Sequence, residues 1–490
     1  MKSEKKYGWT VVYALAFGLF LGLAILKFGN PVILDRNITP PVSASDFWND
    51  PWPTRWANWF LLPLVLAGAA LAFAKKVRWP GSKWLWLLPM LWFIWQLIAA
   101  TQTVDAKLTG ATLWQFFGCI ACYFIGALVL GSEQSLRWLL IGVLAAFTVC
   151  LVRAVDQRLV EFPQNHHILV EGEKAGWTNF PPETLMEMKR EHIIITTNGV
   201  DMANPAILAK FAKGRVNGTL VYPNALAGAV LMLFPVSIVL AFTGTKRLRP
   251  AIRVIVIVMV LFLGIAGFLG GGGKLGWLIA ILVGGASLFR LEWPARFKLA
   301  AMSMVLLVGL GLFAIRFHGY FSAGATSASA RFDYWHAAVQ TTVAHPLLGT
   351  GPGTFQRPYA QLKSPEAEMA RLTHNDYLEQ LSDSGLLGGI FYTTWILLAL
   401  FTIGRRFWSA ANPMVFAVFI GLAGWFIQAI GEFSLYIPAL AWTAFMLLGC
   451  LLGLSGNQID KSVAANYPSG RNEDSISQRS KPKPAGTARA

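Results

Sequence analysis

The sequence predicts an all-α polytopic membrane protein, and three features support this prediction. Of the 490 residues, 55% are hydrophobic and only 13% are charged, whereas about 25% of the residues in an ordinary soluble domain are charged. The charged residues are grouped between apolar runs, most of which approach the ~20 residues that a helix needs to cross a bilayer. The runs are continuous rather than alternating, which excludes a transmembrane β-barrel.

Twelve apolar runs are expected to form transmembrane helices, and polar segments divide them into three groups. Five runs precede a polar segment at 153–213, four lie between that segment and a second one at 318–384, and three follow. In chain order the runs lie near residues 9–27, 57–74, 84–100, 112–130, 136–152, 219–243, 254–269, 275–289, 299–316, 385–403, 414–430 and 436–454.

Three parts are predicted along the chain. Residues 1–213 contain the first five helices and the segment 153–213, and residues 214–455 contain the other helices and the loop 318–384. Residues 456–490 are polar and rich in Ser, Lys, Pro and Asn, so we expect a disordered tail.

Basic residues predict the orientation, because Lys and Arg stay on the cytoplasmic side during insertion. They cluster at the N-terminus and in alternate loops, as Lys2, Lys5, Lys6, Lys75, Lys76, Arg78, Lys83, Lys246, Arg247, Arg249, Arg253, Arg290, Arg296, Lys298, Arg405 and Arg406. Both termini are therefore expected on the cytoplasmic side, with the first helix a retained anchor and the two polar segments on the outer side of the membrane. The formal charge of +16 is not gathered on one soluble face, so no nucleic-acid partner is expected.

The cysteines and histidines do not predict a metal or cofactor. All four cysteines lie inside apolar runs, which favours packing roles even for the closely spaced Cys119 and Cys122. His166 and His167 have two glutamates nearby but no second pair of ligands at metal-binding spacing. All seven histidines fall on the predicted outer side, so we expect an active site to face outward.

Two outer segments carry basic residues beside glycines. Arg215 precedes the sixth run, whose start is interrupted by Pro223 and Asn224, and such interruptions are tolerated where backbone lines a cavity. Alternatively, Arg215 extends to lipid phosphates. The turn 270–273, four glycines followed by Lys274, suits a phosphate through free backbone N–H groups, although turn packing alone also explains it.

Two further segments are candidates. Residues 327–336 predict an amphipathic helix in which Arg331 faces a cavity or pairs with Asp333. Thr373 and Asp376 have the spacing of a capping box, which would place His374 in the first turn of a helix. The positive end of the helix would then keep the imidazole neutral and able to accept a proton. The alternative is an interfacial histidine whose hydrogen bonds are satisfied by backbone.

Read together, these segments form an ordered set of motifs. They are Gly-Arg-x-x-Gly-Thr followed by Pro-Asn-x-Leu-Ala at 214–227, the glycine turn with Lys274, Arg331 followed by Trp335, His-Pro-Leu-x-Gly-x-Gly at 345–351, and His374-Asn375 leading to Gly-Leu-Leu-Gly at 385–388. This order resembles the O-antigen ligase and polymerase superfamily over residues 215–455.

The resemblance implies a glycosyltransferase of surface polysaccharide or lipopolysaccharide biosynthesis in the bacterial inner membrane. The enzyme would act without a metal or nucleotide sugar. It would transfer a glycan from a polyprenyl diphosphate carrier such as undecaprenyl diphosphate to an acceptor hydroxyl in the periplasm. By motif, His374 falls near the acceptor and Arg215 at the carrier diphosphate. Lys274 stands where the family has a second arginine, and Arg331 is expected to share its work.

Asn224, Asn375 and Asp376 are assigned supporting roles in the same site. The expected partners are the lipid-linked glycan, membrane lipids, and an acceptor that is the lipid A core, a growing glycan or a protein hydroxyl. A transporter of small anions or lipid-linked glycans is the alternative of another class, because glycine-interrupted helices also mark transport sites.

Overall fold

The computed structural model describes residues 4–74, 79–322, 326–408 and 412–466. These residues form an all-α bundle with one short β-hairpin, which confirms the predicted fold class. The helices are α1 Glu4–Lys27, α2 Ala44–Asn49, α3 Thr54–Ala74, α4 Trp84–Ala99, α5 Ala106–Leu128, α6 Glu133–Asp156, α7 Phe162–Lys174, α8 Pro182–Arg190, α9 Pro205–Lys213, α10 Pro223–Gly244, α11 Pro250–Gly271, α12 Lys274–Leu288, α13 Ala295–Ser322, α14 Thr326–Ala344, α15 Gln356–Leu362, α16 Asp376–Phe407, α17 Pro413–Gln428 and α18 Pro438–Asn466.

Each of the twelve apolar runs coincides with a helix. In the described part of the chain, ten helices are long and apolar enough to cross a membrane, and the other two runs form the shorter apolar helices α12 and α17. Gly272, with φ +59°, ends α11, and the extended Gly273 is the N-cap of α12. Helix α12 therefore begins directly after α11, at Lys274. The chain is therefore a multi-pass membrane protein.

Small residues allow the central helices to approach closely. At Gly142 of α6, an added Cβ would lie 2.4 Å from the carbonyl carbon of Gly18 in α1. At Gly449 of α18, it would lie 2.1 Å from the Tyr123 carbonyl oxygen in α5. Such contacts replace the hydrophobic driving force that is missing between helices in lipid. Helix α18 is almost entirely buried at the centre, whereas α13 lies at the periphery against α12.

The segment 153–213 is an additional folded unit. A π-helical turn at Gln157–Glu161 continues α6 into α7, and α8 leads to the strands β1 (Ile194–Thr197) and β2 (Val200–Ala203). The strands pair antiparallel from Ile194 opposite Ala203 to Thr197 opposite Val200. Asn198 and Gly199 form the turn with positive φ angles of 52° and 80°, as a two-residue hairpin turn requires.

Helix α16 contains a break that the glycine-rich segment 345–353 stabilises. Gly385 has φ 71° and ψ −175°, a conformation that is essentially restricted to glycine. The Leu386 N–H donates to the Pro346 carbonyl at 2.8 Å, and the Gly351 N–H donates to the Asp383 carbonyl at 2.8 Å. The motif at 345–351 therefore satisfies backbone groups that the break leaves without helical partners.

The disordered tail at 456–490 stays a prediction. Helix α18 continues to Asn466, beyond the expected end of order at residue 455. Extending a formed helix needs no new nucleus, and no proline interrupts the chain until Pro468. Residues 467–490 lie outside the described residues, as do Lys2 and the basic residues at 75–78.

Substitution of Gly385 tests the break in α16. An added Cβ would lie 2.1 Å from the Leu347 carbonyl oxygen, so Gly385→Ala should lower the free energy of unfolding by at least ~2 kcal/mol. Gly311→Ala in α13 is the control, because no atom lies within 4 Å of its Cβ position. Thermal unfolding in detergent measures both variants, and equal unfolding temperatures would contradict the account.

Candidate active site

One cavity brings together the main residues that the sequence singled out. Its volume is about 160 Å³, and it lies where α10, α12 and α16 begin and α11 and α17 end, which we call the site end of the bundle. The lining residues are Arg215, Asn224, Gly273, Lys274, Leu275, Gly276, Ser327, Arg331, Tyr334, Glu368, His374, Gln428 and Glu432.

The buried carboxylate of Glu432 organises this cavity. Its side chain is 2% exposed, and it accepts hydrogen bonds from Arg331 Nη2 at 2.6 Å and Asn224 Nδ2 at 2.7 Å. The Tyr222 hydroxyl donates to its other oxygen at 2.8 Å. His374 Nδ1 lies 3.6 Å from that second oxygen. Glu432 thus joins three segments that are distant in sequence.

Arg215 is fixed between the starts and ends of neighbouring helices. Its Nε donates to the Gly271 carbonyl at 3.0 Å, and Nη2 donates to Asn224 Oδ1 at 2.9 Å. Arg215 is partly buried, and this burial lowers the pKa of its guanidinium. A cation that is partly buried gains more from an anionic ligand than a solvated cation does. The position of Arg215 therefore suits the binding of an anion.

Lys274 begins α12 and reaches into the same cavity. Its Nζ lies 3.7 Å from the centre of the Tyr320 ring, a cation–π contact from α13. Gly273 and Gly276 pack against α10, where a Cβ would come within 3.0 and 3.2 Å of the Ala227 methyl group. The glycine turn therefore serves close packing and also places the N-terminus of α12 at the cavity, where orphan N–H groups attract anions.

The predicted capping box at Thr373 and Asp376 is wrong. Asn375 is the N-cap of α16, because its Oδ1 accepts from the N–H groups of Tyr377 and Leu378 at 3.0 and 3.1 Å. The Thr373 hydroxyl instead bonds Glu379 Oε2 at 2.8 Å. His374 precedes the helix, with a left-handed φ of 53°. Helix capping therefore does not place His374 in a first turn.

Aromatic rings hold the imidazole of His374. The Tyr334 ring stacks on it with centroids 5.9 Å apart and an interplanar angle of 28°. The Phe433 ring meets it edge-on at 4.7 Å. A non-glycine residue with positive φ costs roughly 1–2 kcal/mol, so the surrounding contacts must maintain this conformation. Such strain marks positions where geometry serves a function.

A family comparison agrees with this arrangement. Residues 262–393 match the family model described as O-antigen ligase. This part of the chain is therefore similar to the O-antigen ligase family. A search of curated proteins gave no match. That family is one of glycosyltransferase-like membrane enzymes.

The O-antigen ligase match covers only part of the cavity. Lys274, Arg331 and His374 lie inside the matched range, whereas Arg215 and Glu432 lie outside it. The cavity is completed by the loop before α10 and by the loop after α17. The site therefore depends on tertiary contacts between segments from residue 215 to residue 432.

Asn375 and Asp376 support the site without lining the cavity. Asp376 donates its N–H to the Ala429 carbonyl at 2.9 Å, and its Oδ2 accepts from the Leu435 N–H at 3.0 Å. These bonds join the start of α16 to the loop that carries Glu432. Asn224, in contrast, lines the cavity and bridges Arg215 to Glu432.

Sequence reasoning missed Glu432 and resolved Arg331 only in part. Arg331 lines the cavity, and within the described part of the chain it forms its ion pair with Glu432 rather than with the neighbouring Asp333. The available signal for Glu432 was its position, since it is an acidic residue in the short break between the runs 414–430 and 436–454. An ionisable residue next to membrane helices is a functional candidate by default.

No group of three or more His, Cys, Asp or Glu side chains within the described ranges is arranged to hold a metal. The four cysteines are unpaired and buried in the bundle. His166 lies at a separate groove with Phe162 and Phe211, away from the cavity that contains His374.

Removal of Glu432 tests its organising role. Glu432→Ala leaves Arg331, Asn224 and Tyr222 without their shared acceptor, so the free energy of unfolding should fall by about 2–4 kcal/mol. Tyr222→Phe is the matched control, because it removes one hydrogen bond worth about 1 kcal/mol. Thermal unfolding in detergent should rank Glu432→Ala as clearly less stable, and the reverse order would refute the organising role.

Proposed function

We propose that this protein transfers an oligosaccharide or polysaccharide from a polyprenyl diphosphate carrier to an acceptor hydroxyl on the periplasmic side. The observation that carries the proposal is the convergence of Arg215, Lys274, Arg331 and His374 on one cavity. The reaction needs fixed cations beside a diphosphate and a proton acceptor beside a hydroxyl. Both kinds of group line this cavity.

The three cations would bind the diphosphate of the donor. As the acceptor oxygen attacks the anomeric carbon, the bond from that carbon to the diphosphate breaks, and its electron pair leaves with the diphosphate. Arg215 and Arg331 can each direct several N–H donors toward phosphate oxygens, whereas Lys274 supplies a compact charge. We propose that these side chains neutralise the leaving group in place of a metal. One direct displacement would invert the anomeric configuration.

His374 would accept the proton of the attacking hydroxyl. Nδ1 faces the Glu432 carboxylate at 3.6 Å, which leaves Nε2 as the nitrogen for the acceptor. The positive charge that forms on the ring would be stabilised by Glu432, as in other base–carboxylate pairs. Glu432, rather than the helix end, is therefore the group that we expect to act beside this histidine.

The basic residues support a periplasmic position for the cavity. Arg247 and Arg249 follow the far end of α10, Arg290 follows the far end of α12, and Arg405 lies in the last turn of α16. These positions are opposite the site end, where α10, α12 and α16 begin. The positive-inside rule would place the opposite end in the cytoplasm.

The same arrangement favours an enzyme over a transporter. Transport sites lie near the middle of the membrane, between helices that are interrupted at that depth. Here the cavity lies at the ends of the membrane helices α10, α11 and α16. A ligase, a polymerase and a protein O-oligosaccharyltransferase share the proposed chemistry and differ in the acceptor.

Substitution of His374 and Arg215 tests the two halves of the reaction. His374→Ala should lower the transfer rate at least ~100-fold through loss of the base, and Arg215→Ala should lower it by a similar factor through loss of a leaving-group contact. The assay uses purified protein in liposomes, lipid-linked glycan and acceptor. His336→Ala is the control, since His336 is exposed on α14 and does not line the cavity.

Full activity of a well-folded His374→Ala variant would refute the assignment of the base. Absence of product from the wild-type protein with lipid A core, glycan and peptide acceptors would refute the proposed function. Solute flux through liposomes without acceptor would instead support a transporter.

Charge substitutions at Lys274 test the diphosphate site. Lys274→Arg keeps the charge and should retain transfer within about fivefold, whereas Lys274→Glu places a carboxylate against the diphosphate and should abolish transfer. Initial rates at saturating acceptor measure the effect. Normal transfer by Lys274→Glu would show that the diphosphate does not bind at this position.

A further inference from the structure

Besides the ion pair of Arg331 with Glu432, the cavity contains two groups of charged or polar side chains. Arg215 and Lys274 meet at the glycine turn, where α11 ends and α12 begins. Glu368, Tyr334 and His374 form another group, joined by direct contacts between their side chains. A diphosphate is attracted by the first group, whereas the carboxylate of Glu368 repels it. The second group is therefore suited to a different ligand.

We propose that Glu368 and Tyr334 form the acceptor subsite, and that the acceptor is a sugar with a second hydroxyl beside the one that attacks. The proposal rests on the proposed function, because it names the substrate class of the same cavity. His374 receives the proton of one hydroxyl, and Glu368 binds the neighbouring hydroxyl.

Tyr334 connects the carboxylate to the base. Its hydroxyl donates to Glu368 Oε1 at 2.6 Å, and its ring stacks on His374 with centroids 5.9 Å apart. Burial, with Glu368 as a second cause, raises the pKa of the Tyr334 phenol, so the hydroxyl remains a donor. A shift in either contact would move the carboxylate relative to the imidazole.

The second oxygen of Glu368 is available for a ligand. No hydrogen bond to Oε2 and no ion pair to Glu368 is found among the residues that the structure describes. Glu368 is exposed and lies at the cavity, while its backbone carbonyl is held by the Tyr359 hydroxyl at 3.2 Å. The loop is thus anchored through its main chain, and one carboxylate oxygen remains free to accept a hydrogen bond.

Hydroxyl chemistry favours a sugar over a protein acceptor. An ionised carboxylate accepts hydrogen bonds only, and a sugar presents hydroxyl donors on adjacent carbons. A serine or threonine side chain has one hydroxyl, which the reaction itself uses, so a peptide could meet Glu368 only through a backbone N–H. A sugar can therefore satisfy His374 and Glu368 together through two neighbouring hydroxyls.

Kinetics with defined acceptors tests the subsite. The donor is polyprenyl diphosphate-linked glycan extracted from the organism that carries this protein. The acceptors are lipid A core oligosaccharide, the lipid-linked glycan itself and a serine-containing peptide. Glu368→Gln keeps an oxygen for Tyr334 but replaces the free acceptor atom with an N–H donor. We expect the KM for the sugar acceptor to rise about 10- to 100-fold, with the donor KM changed less than about twofold.

Two further variants separate binding from structure. Glu366→Gln changes an exposed carboxylate two residues away and should leave both KM values unchanged. Tyr334→Phe removes the bond to Glu368 but keeps the carboxylate, so the acceptor KM should rise less than in Glu368→Gln. A purely structural role for Glu368 would instead lower kcat or raise both KM values.

The outcomes distinguish the two proposals. If wild-type protein transfers glycan and Glu368→Gln has an unchanged acceptor KM, the subsite is refuted while the proposed function stands. Transfer to the serine peptide but to neither sugar acceptor also refutes the subsite. If wild-type protein forms no product with any of the three acceptors, the proposed function fails, and the subsite fails with it.

Discussion

The buried carboxylate of Glu432 is the constraint on which the cavity depends. Arg331 comes from α14, Asn224 from the start of α10 and His374 from the loop before α16, and each lies beside this one side chain. Removing a carboxylate from water is costly unless its oxygens are paired. The three segments must therefore stay together for Glu432 to remain buried, and their convergence creates the cavity.

Arg215 is tied to the same network indirectly, because Asn224 accepts from Arg215 and donates to Glu432. One amide thus sets the position of a cation and of a carboxylate. The backbone contributes a second layer of support, in which Asp376 joins the start of α16 to the loop of Glu432. The side chains that the reaction would use are consequently held in place by Asn224 and Glu432.

Much of the fold could be predicted because membrane helices must be long, apolar and internally hydrogen-bonded. Arg215 and Lys274 could be predicted because they lie beside glycines near the ends of helices. The capping box failed because Asn375 caps α16 more directly than Thr373, whose hydroxyl bonds Glu379. Local spacing does not reveal which of two nearby polar residues caps the helix.

The local pattern marks Glu432 only by its position between two apolar runs, and it does not mark Glu368. The significance of both residues comes from partners that are 34 to 210 residues away along the chain, and the sequence of one segment does not show which distant residues it contacts. The most direct measurement is a cryo-electron microscopy structure with bound polyprenyl diphosphate-linked glycan. The account predicts diphosphate density between Arg215, Lys274 and Arg331, with the first sugar facing His374. Diphosphate density elsewhere in the bundle, with this cavity empty, would contradict it.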